Sequence, residues 1–252
     1  MSDLQKKARS SCERLLNYSK SLGLETQKDR AAWLAAALTV ANRKKILGPV
    51  PMFGIYGEPR SGKTLVCYTV RYLSQDNRYE RLAIPASEKK ARSALKQVLE
   101  KSIPIVMLEG VGKSGPLTDF LRSYRVEIAS LGQLTNFYTN ETVFLKTALS
   151  PSEPSTELER FTVPIQCVKL DKEPNHLELF QDDVHRESLI IAAWLVFNAH
   201  QEHKKCDRRF ENVDLFREYE RPKNTFEEWD QTVRSAVMWC GLPDPAAGMV
   251  PR

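Results

Sequence analysis

The sequence predicts an α/β fold built on a parallel sheet, with helices ahead of it and a helical region behind it. Short apolar runs alternate with stretches of helical periodicity, and one run ends in a glycine-bounded loop that opens a helix. With 252 residues, 42% hydrophobic and 27% charged, the chain has the make-up of a globular protein of one domain with an appendage, or two small ones. Strands that alternate with helices are joined by crossovers, and crossovers make neighbouring strands parallel. The expected divisions are an N-terminal helical segment over 1–47, a core over 48–175 and a C-terminal helical region over 176–252.

The elements follow in order. Residues 4–22 set Leu4, Ala8, Cys12, Leu15, Leu16 and Leu22 at helical spacing between Lys and Arg, an amphipathic helix. A polar turn at 25–30 leads to a second helix over 31–42, rich in Ala and Leu and ended by Arg43-Lys44-Lys45 and Gly48-Pro49. Residues 50–56 form a short apolar strand that stops at Gly57, and from Gly62 helical spacing resumes through Leu65, Val66, Tyr68, Val70 and Leu73. Residues 81–85 read as a short strand, 87–101 as a helix and 103–108 as a strand of the fully buried type. Next come a glycine-containing loop at 110–115, a helix over 116–124, and strands at 142–147 and 163–170 separated by a Ser/Pro-rich loop at 150–155. A helix over 186–203 buries Leu189, Ala193, Val196 and Phe197. Another, over 226–240, runs through Trp229, Val233, Ala236, Val237 and Cys240. The polar stretch 204–224 joins the two, and the tail 243–252, with three Pro and few anchors, is expected to fray. Trp194, Trp229 and Trp239 sit at helical spacings and are expected in the core.

Composition narrows the function. No apolar run approaches the roughly 18 residues of a membrane span, so no membrane partner is expected, and the charged N-terminus lacks a secretory apolar segment, so the chain is expected to be cytoplasmic. The five Cys are odd in number and form no C-x-x-C pair, which argues against a disulfide framework or a tetrahedral zinc site and for small apolar residues. His200 and His203, three apart on a helix, could share a metal, but no third ligand is evident, and exposed imidazoles are the simpler expectation. A net charge of +5 permits a polyanionic partner without demanding one. The basic clusters Arg43-Lys44-Lys45 and Lys204, Lys205, Arg208, Arg209 either meet nucleic-acid phosphates or simply face water.

One motif carries chemistry. Gly57-Glu58-Pro59-Arg60-Ser61-Gly62-Lys63-Thr64 fits G-x-x-x-x-G-K-[ST], follows a predicted strand and opens a predicted helix. Average residue usage puts a chance match in a chain this long at roughly one in a hundred. The glycines let the backbone turn tightly enough for its N–H groups to surround phosphates at a helix N-terminus, whose partial positive charge favours them. Lys63 is expected to reach the β/γ-phosphates and the Thr64 hydroxyl to ligate Mg²⁺, so that ATP and Mg²⁺ are the expected cofactors.

Such a site also needs an acid at the end of a neighbouring strand, to hold Mg²⁺ or its water and orient the attacking water. In Ile103-Pro104-Ile105-Val106-Met107-Leu108-Glu109-Gly110 the one carboxylate is Glu109, the expected second metal residue. Phosphoryl transfer needs a cation on the developing charge, and Arg160, in Glu157-Leu158-Glu159-Arg160-Phe161, is the candidate, supplied to a neighbouring subunit. Thr147, ending the strand 142–147, is the best-placed polar residue for the γ-phosphate or water.

From about Ala31 to Pro245 the chain resembles the C-terminal ATPase module of phage- and plasmid-type primase-helicases, AAA-like P-loop ATPases that act on DNA in the replication of mobile elements. Four segments carry the resemblance in order: AAWLAAALTVANR, GIYGEPRSGKTLV, SEKKARSALKQVLEKSIPIVMLEGV and FEEWDQTVRSAVMWCGLPDP, the last similar to the family's closing helix and Gly-x-x-Asp-Pro signature. By this resemblance Lys63 and Thr64 match the phosphate and Mg²⁺ residues and Glu109 the Walker B acid, with Gly110 where the family usually has Asn. The family's Gly-Asn-Asn after the sensor strand appears as Ala148-Leu149-Ser150, and its Asp-Leu-x-Arg-Arg stretch as Glu157 to Phe161, which keeps one arginine of two.

The resemblance implies a helicase-like ATPase of AAA-like P-loop type, assembled as a homo-oligomer such as a hexameric ring, acting on single-stranded DNA. Its departures fall on hydrolysis rather than binding, so a nucleotide-gated, hydrolysis-deficient binding or scaffold protein is the alternative. A small-molecule kinase lacks a recognisable second lid.

Overall fold

The computed structural model describes residues 3–24, 26–76, 78–111, 114–128, 136–150, 157–170, 179–207 and 226–247. Seven strands lie among them: β1 (Met52–Tyr56), β2 (Tyr79–Ile84), β3 (Ile105–Val111), β4 (Arg125–Ile128), β5 (Asn136–Thr139), β6 (Val143–Ala148) and β7 (Thr162–Gln166). Five of them form one sheet in the order β2-β3-β6-β1-β7, and every pairing in it is parallel. All five amino ends therefore lie on one edge and all five carboxyl ends on the other. The expected α/β fold on a parallel sheet is the one observed. Spacing does not foretell the small antiparallel ribbon β4-β5.

Parallel strands must be covered on both faces. Helix α3 (Lys63–Tyr72) carries the chain from β1 to the edge strand β2 over one face. Helices α4 (Glu88–Glu100) and α5 (Ser114–Arg122) return it over the other, the sense that right-handed crossovers require. Phe120 of α5 meets Phe144 of β6 edge to face at 5.5 Å on that second face.

The first face is completed from the two ends of the chain. Helix α1 (Asp3–Ser19) continues as a 3₁₀ turn (Lys20–Leu22) and stops at Gly23, whose φ of 64° is left-handed. Leu24 then bridges to Cys167, and Val168 N–H donates to Gly23 O at 2.9 Å, tying the entry segment to the end of β7. The second helix, α2 (Gln27–Asn42), begins earlier than the periodicity suggests, because Thr26 and Asp29 form a capping box: Asp29 N–H donates to Thr26 Oγ1 and Thr26 N–H to Asp29 Oδ2, each at 3.1 Å. Asp29 Oδ1 also accepts from Gln166 N–H at 2.8 Å.

From Ala31 to Asn42 every residue of α2 is buried, which is why its apolar character runs all round the helix. Its ring and hydroxyl groups find partners in the core: Trp33 Nε1 donates to Thr69 Oγ1 at 3.2 Å, and Trp229 Nε1 to Thr39 Oγ1 at 2.8 Å.

Helix α6 (Asp183–Asp207) packs on α1 and α2. The closing helix runs from Glu227–Trp229 through a π turn, Asp230–Arg234, into Ser235–Trp239. Trp229 is fully buried, as expected, but Trp194 is 43% exposed and Trp239 half-buried: Trp194 lies on the side of α6 turned away from α1 and α2. His200 is not exposed; it is 2% accessible, packed against Trp239 at 5.7 Å between ring centres. The tail does not fray over 243–247. Asp244 takes two hydrogen bonds from Arg234 at 2.7 Å each and accepts Ala246 N–H at 2.9 Å, while Ala246 is buried. The Gly-x-x-Asp-Pro ending thus acts as a clasp on the closing helix. Cys12, Cys67 and Cys167 are buried as small apolar residues. The parts of the expected loops and tail at 112–113, 151–155, 208–224 and 248–252 lie outside the described residues.

Burial, and then the positive charges of Lys204 and His203, lower the His200 pKa to about 3. With the native value depressed below 6.5, the stability His200 contributes is present above pH 6.5 and is lost as pH falls toward 3. Between pH 7 and pH 5 this one group is expected to remove about 2 kcal/mol of stability. Urea unfolding across that range, beside His200→Phe, checks it: the variant should lose that part of the pH dependence.

Candidate functional site

The loop between β1 and α3 rises from the carboxyl edge of the sheet. Gly57 N–H donates to Ala148 O at 3.3 Å and Leu149 O at 3.1 Å, so the loop starts pinned to the end of β6. Cys167 N–H donates to Tyr56 O at 2.8 Å on the other side. Gly57 has φ 151°, and a β-carbon there would strike Cys167 O and Ser61 Oγ. Gly62, at φ 83°, is the N-cap of α3 in left-handed conformation. Arg60 is also left-handed, at φ 65°.

The loop is built of donors. The first N–H groups of α3 have no intrahelical acceptor, and the Ser61 hydroxyl is buried against Gly57 without a hydrogen-bond partner. Lys63 folds over the loop, its Nζ donating to Gly57 O at 2.6 Å and Glu58 O at 2.7 Å. A phosphate group suits this concave set of N–H, O–H and ammonium donors at a helix N-terminus. Cys167, beside it, is pushed up to about 12 by burial and by Asp29, so its thiol is inert near neutral pH.

Glu109 leaves β3 at the same edge. Leu82 pairs with Leu108 and Ala83 with Gly110, so Glu109 is the extra residue of a bulge, one place beyond the Leu108–Lys146 pair. Its carboxylate lies 3.4 Å from Arg81 Nη1, and Arg81 Nη2 donates to Tyr68 Oη at 2.5 Å. Tyr68 follows Thr64 by one turn on α3, so Arg81 ties the acid to the helix face that presents the exposed Thr64 hydroxyl. Thr147 is half-buried in β6 opposite Ile55, and by strand alternation it faces the α3 side while Lys146 faces the other. The structure thus gathers the 57–64 loop, Glu109 and Thr147 at one edge.

Arg160 is not brought there. It sits exposed in the 3₁₀ turn Glu157–Phe161, just before Thr162, which pairs with Met52 at the start of β1. Met52 and Tyr56 are the two ends of that strand, about 13 Å apart. Arg160 therefore lies toward the amino edge, away from the loop of its own chain.

Two features at the site escape sequence reading. Arg81 reads only as a strand residue, and no local spacing links it to Glu109, twenty-eight positions on. The second is a buried set on the face opposite α3: Glu159 accepts Tyr56 O–H at Oε2 and Lys146 Nζ at Oε1, both at 2.7 Å. Gly54 makes room for it, since a β-carbon there would collide with the Tyr56 ring and hydroxyl. Burial, then Glu159, raises the Tyr56 pKa far above its ordinary value. The set ties the last residue before the loop, the strand bearing Thr147 and the turn bearing Arg160 to one carboxylate.

Two solved structures resemble this chain in fold. The NrS-1 C-terminal region, in an apo form, has a TM-score of 0.48 at 14% identity, over 74% of this chain and 45% of that one. A candidate ATPase from Cytophaga hutchinsonii has a TM-score of 0.42 at 14% identity, over 77% of this chain and 65% of that one. The chain thus spans less than two thirds of either. No protein-family model and no curated protein matches it.

Glu159→Leu leaves Lys146 buried without this carboxylate and is expected to cost about 3–5 kcal/mol. Pairing it with Lys146→Met should recover part of the loss. Urea unfolding of the three chains is the measurement; equal losses in the single and double variants would contradict a buried ion pair.

Proposed function

We propose that the chain binds ATP with Mg²⁺ at the 57–64 loop and works as a helicase-like ATPase module on DNA. The observation that carries this reading is the loop itself: Gly57 and Gly62 in conformations few other residues adopt, the unpartnered Ser61 hydroxyl, and Lys63 over the donors, all at the N-terminus of α3. Lys63 would bind the β/γ-phosphates, and Thr64 and Glu109 would hold the metal, which supplies charge neutralisation between the phosphates. The Arg81–Glu109 pair is about half exposed, so it is weak and would yield Glu109 to a divalent ion. Thr147 faces the same side of the sheet and would orient water or the γ-phosphate.

Arg160, away from its own loop and exposed, fits a cation offered to a neighbouring copy in a homo-oligomer such as a ring. The resemblance to primase-helicase modules supports DNA in mobile-element replication as the substrate. The second reading, a nucleotide-gated binding protein with slow or no hydrolysis, is favoured by Ala148-Leu149-Ser150, which offers no side-chain amide beside the loop, and by the salt bridge that occupies Glu109.

Lys63→Ala removes the ammonium while touching no core residue, and it should weaken ATP binding about 10–100-fold, the worth of a charged hydrogen bond, with the unfolding midpoint unchanged. Equilibrium titration with a fluorescent ATP analogue checks it; unchanged affinity would sink the assignment. Steady-state hydrolysis with and without single-stranded DNA, beside Glu109→Gln, separates the two readings. DNA-stimulated turnover lost in the variant supports the motor, and ATP binding without turnover supports the gated binder.

A further inference from the structure

A second concave site lies on the opposite edge of the sheet. It has a volume of about 500 Å³. Ile103 and Pro104, which run into β3, and Thr142, which runs into β6, form part of its wall, so it opens at the amino edge, away from the ATP loop. The end of α2 and the residues just after it supply another part.

Lys44 and Lys45 stand exposed there, at the helix end where the backbone dipole favours cations. The Lys45 ammonium lies 3.9 Å above the Trp194 ring and donates to Asn198 Oδ1 at 3.0 Å. Arg78 is neutralised by Asp76 at 2.6 Å, and Glu141 adds one acid, so the two lysines are the cations left for a ligand. Around them three aromatic residues line the site: Trp194, Tyr138 and Phe137, the last 72% exposed. Behind the lysines, Asn42 Oδ1 and Arg43 Nε are buried without partners, although both Arg43 Nη atoms are used by Ile46 O, Gly48 O and Asn140 O.

We propose that this groove binds a nucleotide unit of single-stranded nucleic acid, its base stacked on Trp194 and its phosphates on Lys44 and Lys45. Rings set among cations bind single strands with little regard to sequence. A phosphate would draw the Lys45 ammonium off the ring and free its face for the base. An acidic peptide would use the lysines and leave the rings in water; an apolar helix would cover the rings and bury the lysines unpaired. The inference rests on the DNA side of the proposed function and not on its ATP site.

The test is anisotropy of a labelled oligothymidylate titrated with the full chain without ATP, over a salt series. Trp194→Ala should weaken binding about 5–100-fold, a stacked base's share, and Trp194→Phe should restore most of it. Lys44→Ala with Lys45→Ala should weaken binding and lower the logarithmic salt slope by about 1.4, for two phosphates. Both should leave binding of the fluorescent ATP analogue unchanged, since they lie at the other edge. Oligothymidylate binding indifferent to both sets of variants overturns the inference, as does full competition by thymidine monophosphate at equal nucleotide concentration, which would assign the groove to a free nucleotide. A chain that binds ATP but no oligothymidylate overturns this inference together with the DNA side of the proposed function and leaves the ATP assignment standing; oligothymidylate binding that ignores these variants overturns this inference alone. One that binds oligothymidylate through Trp194 but no ATP overturns only the ATP assignment.

Discussion

Covering a parallel sheet on both faces is the constraint from which the rest of this molecule follows. A sheet with no solvated face cannot be closed by the crossover helices α3, α4 and α5 alone when β7 lies beyond β1. The chain meets this with α2, apolar around its whole circumference, laid against β7 and α3 and in turn covered by α6 and the closing helix. Because α2 is buried on all sides from Ala31 on, polar side chains are drawn into the core, where Thr39 pairs with Trp229, and Asp29 near its start bonds the backbone of β7. The clasp of Asp244 on Arg234 then holds the last layer.

The same constraint makes two unlike edges. At the carboxyl edge the ends of the neighbouring strands β3, β6 and β1 lie side by side, and donors collect: the α3 N-terminus, Ser61 and Lys63, with Glu109 held aside by Arg81. At the amino edge α2 ends, and Lys45, just beyond it, lies over the Trp194 ring in a groove that Tyr138 also lines. The buried Tyr56–Glu159–Lys146 set lies between them, joining the strand that leads into the 57–64 loop to the turn that carries Arg160. A ligand at one edge and a neighbour at Arg160 would act on the same rigid element.

Much of this is legible in the sequence where the signal is local. The strand, loop and helix around Gly57 to Thr64 follow from spacing and from glycines whose φ values only a turn requires. The Ala/Leu run of α2 announces a buried helix. What spacing does not reveal is set by contacts distant in sequence. The bulge that frees Glu109 comes from its pairing with β2, and its partner Arg81 lies two elements away. His200 and Trp194 share one helix; the amphipathic pattern gives the helix but not which flank the closing helix covers, so the histidine is buried and the tryptophan exposed. The tail's few apolar residues suggest fraying, yet one carboxylate with a bidentate arginine anchors it.

The central claim is that the carboxyl edge is a phosphate-binding loop for ATP, and thermal unfolding of the whole chain in rising Mg·ATP tests it most directly. A ligand that binds only the folded state raises stability with its concentration, by about 2.7 kcal/mol at a hundred times Kd. The account predicts a rise that grows with Mg·ATP and is absent with AMP, which has no β- or γ-phosphate for Lys63. A midpoint that stays fixed up to cellular Mg·ATP concentrations, or moves equally with AMP, would contradict it.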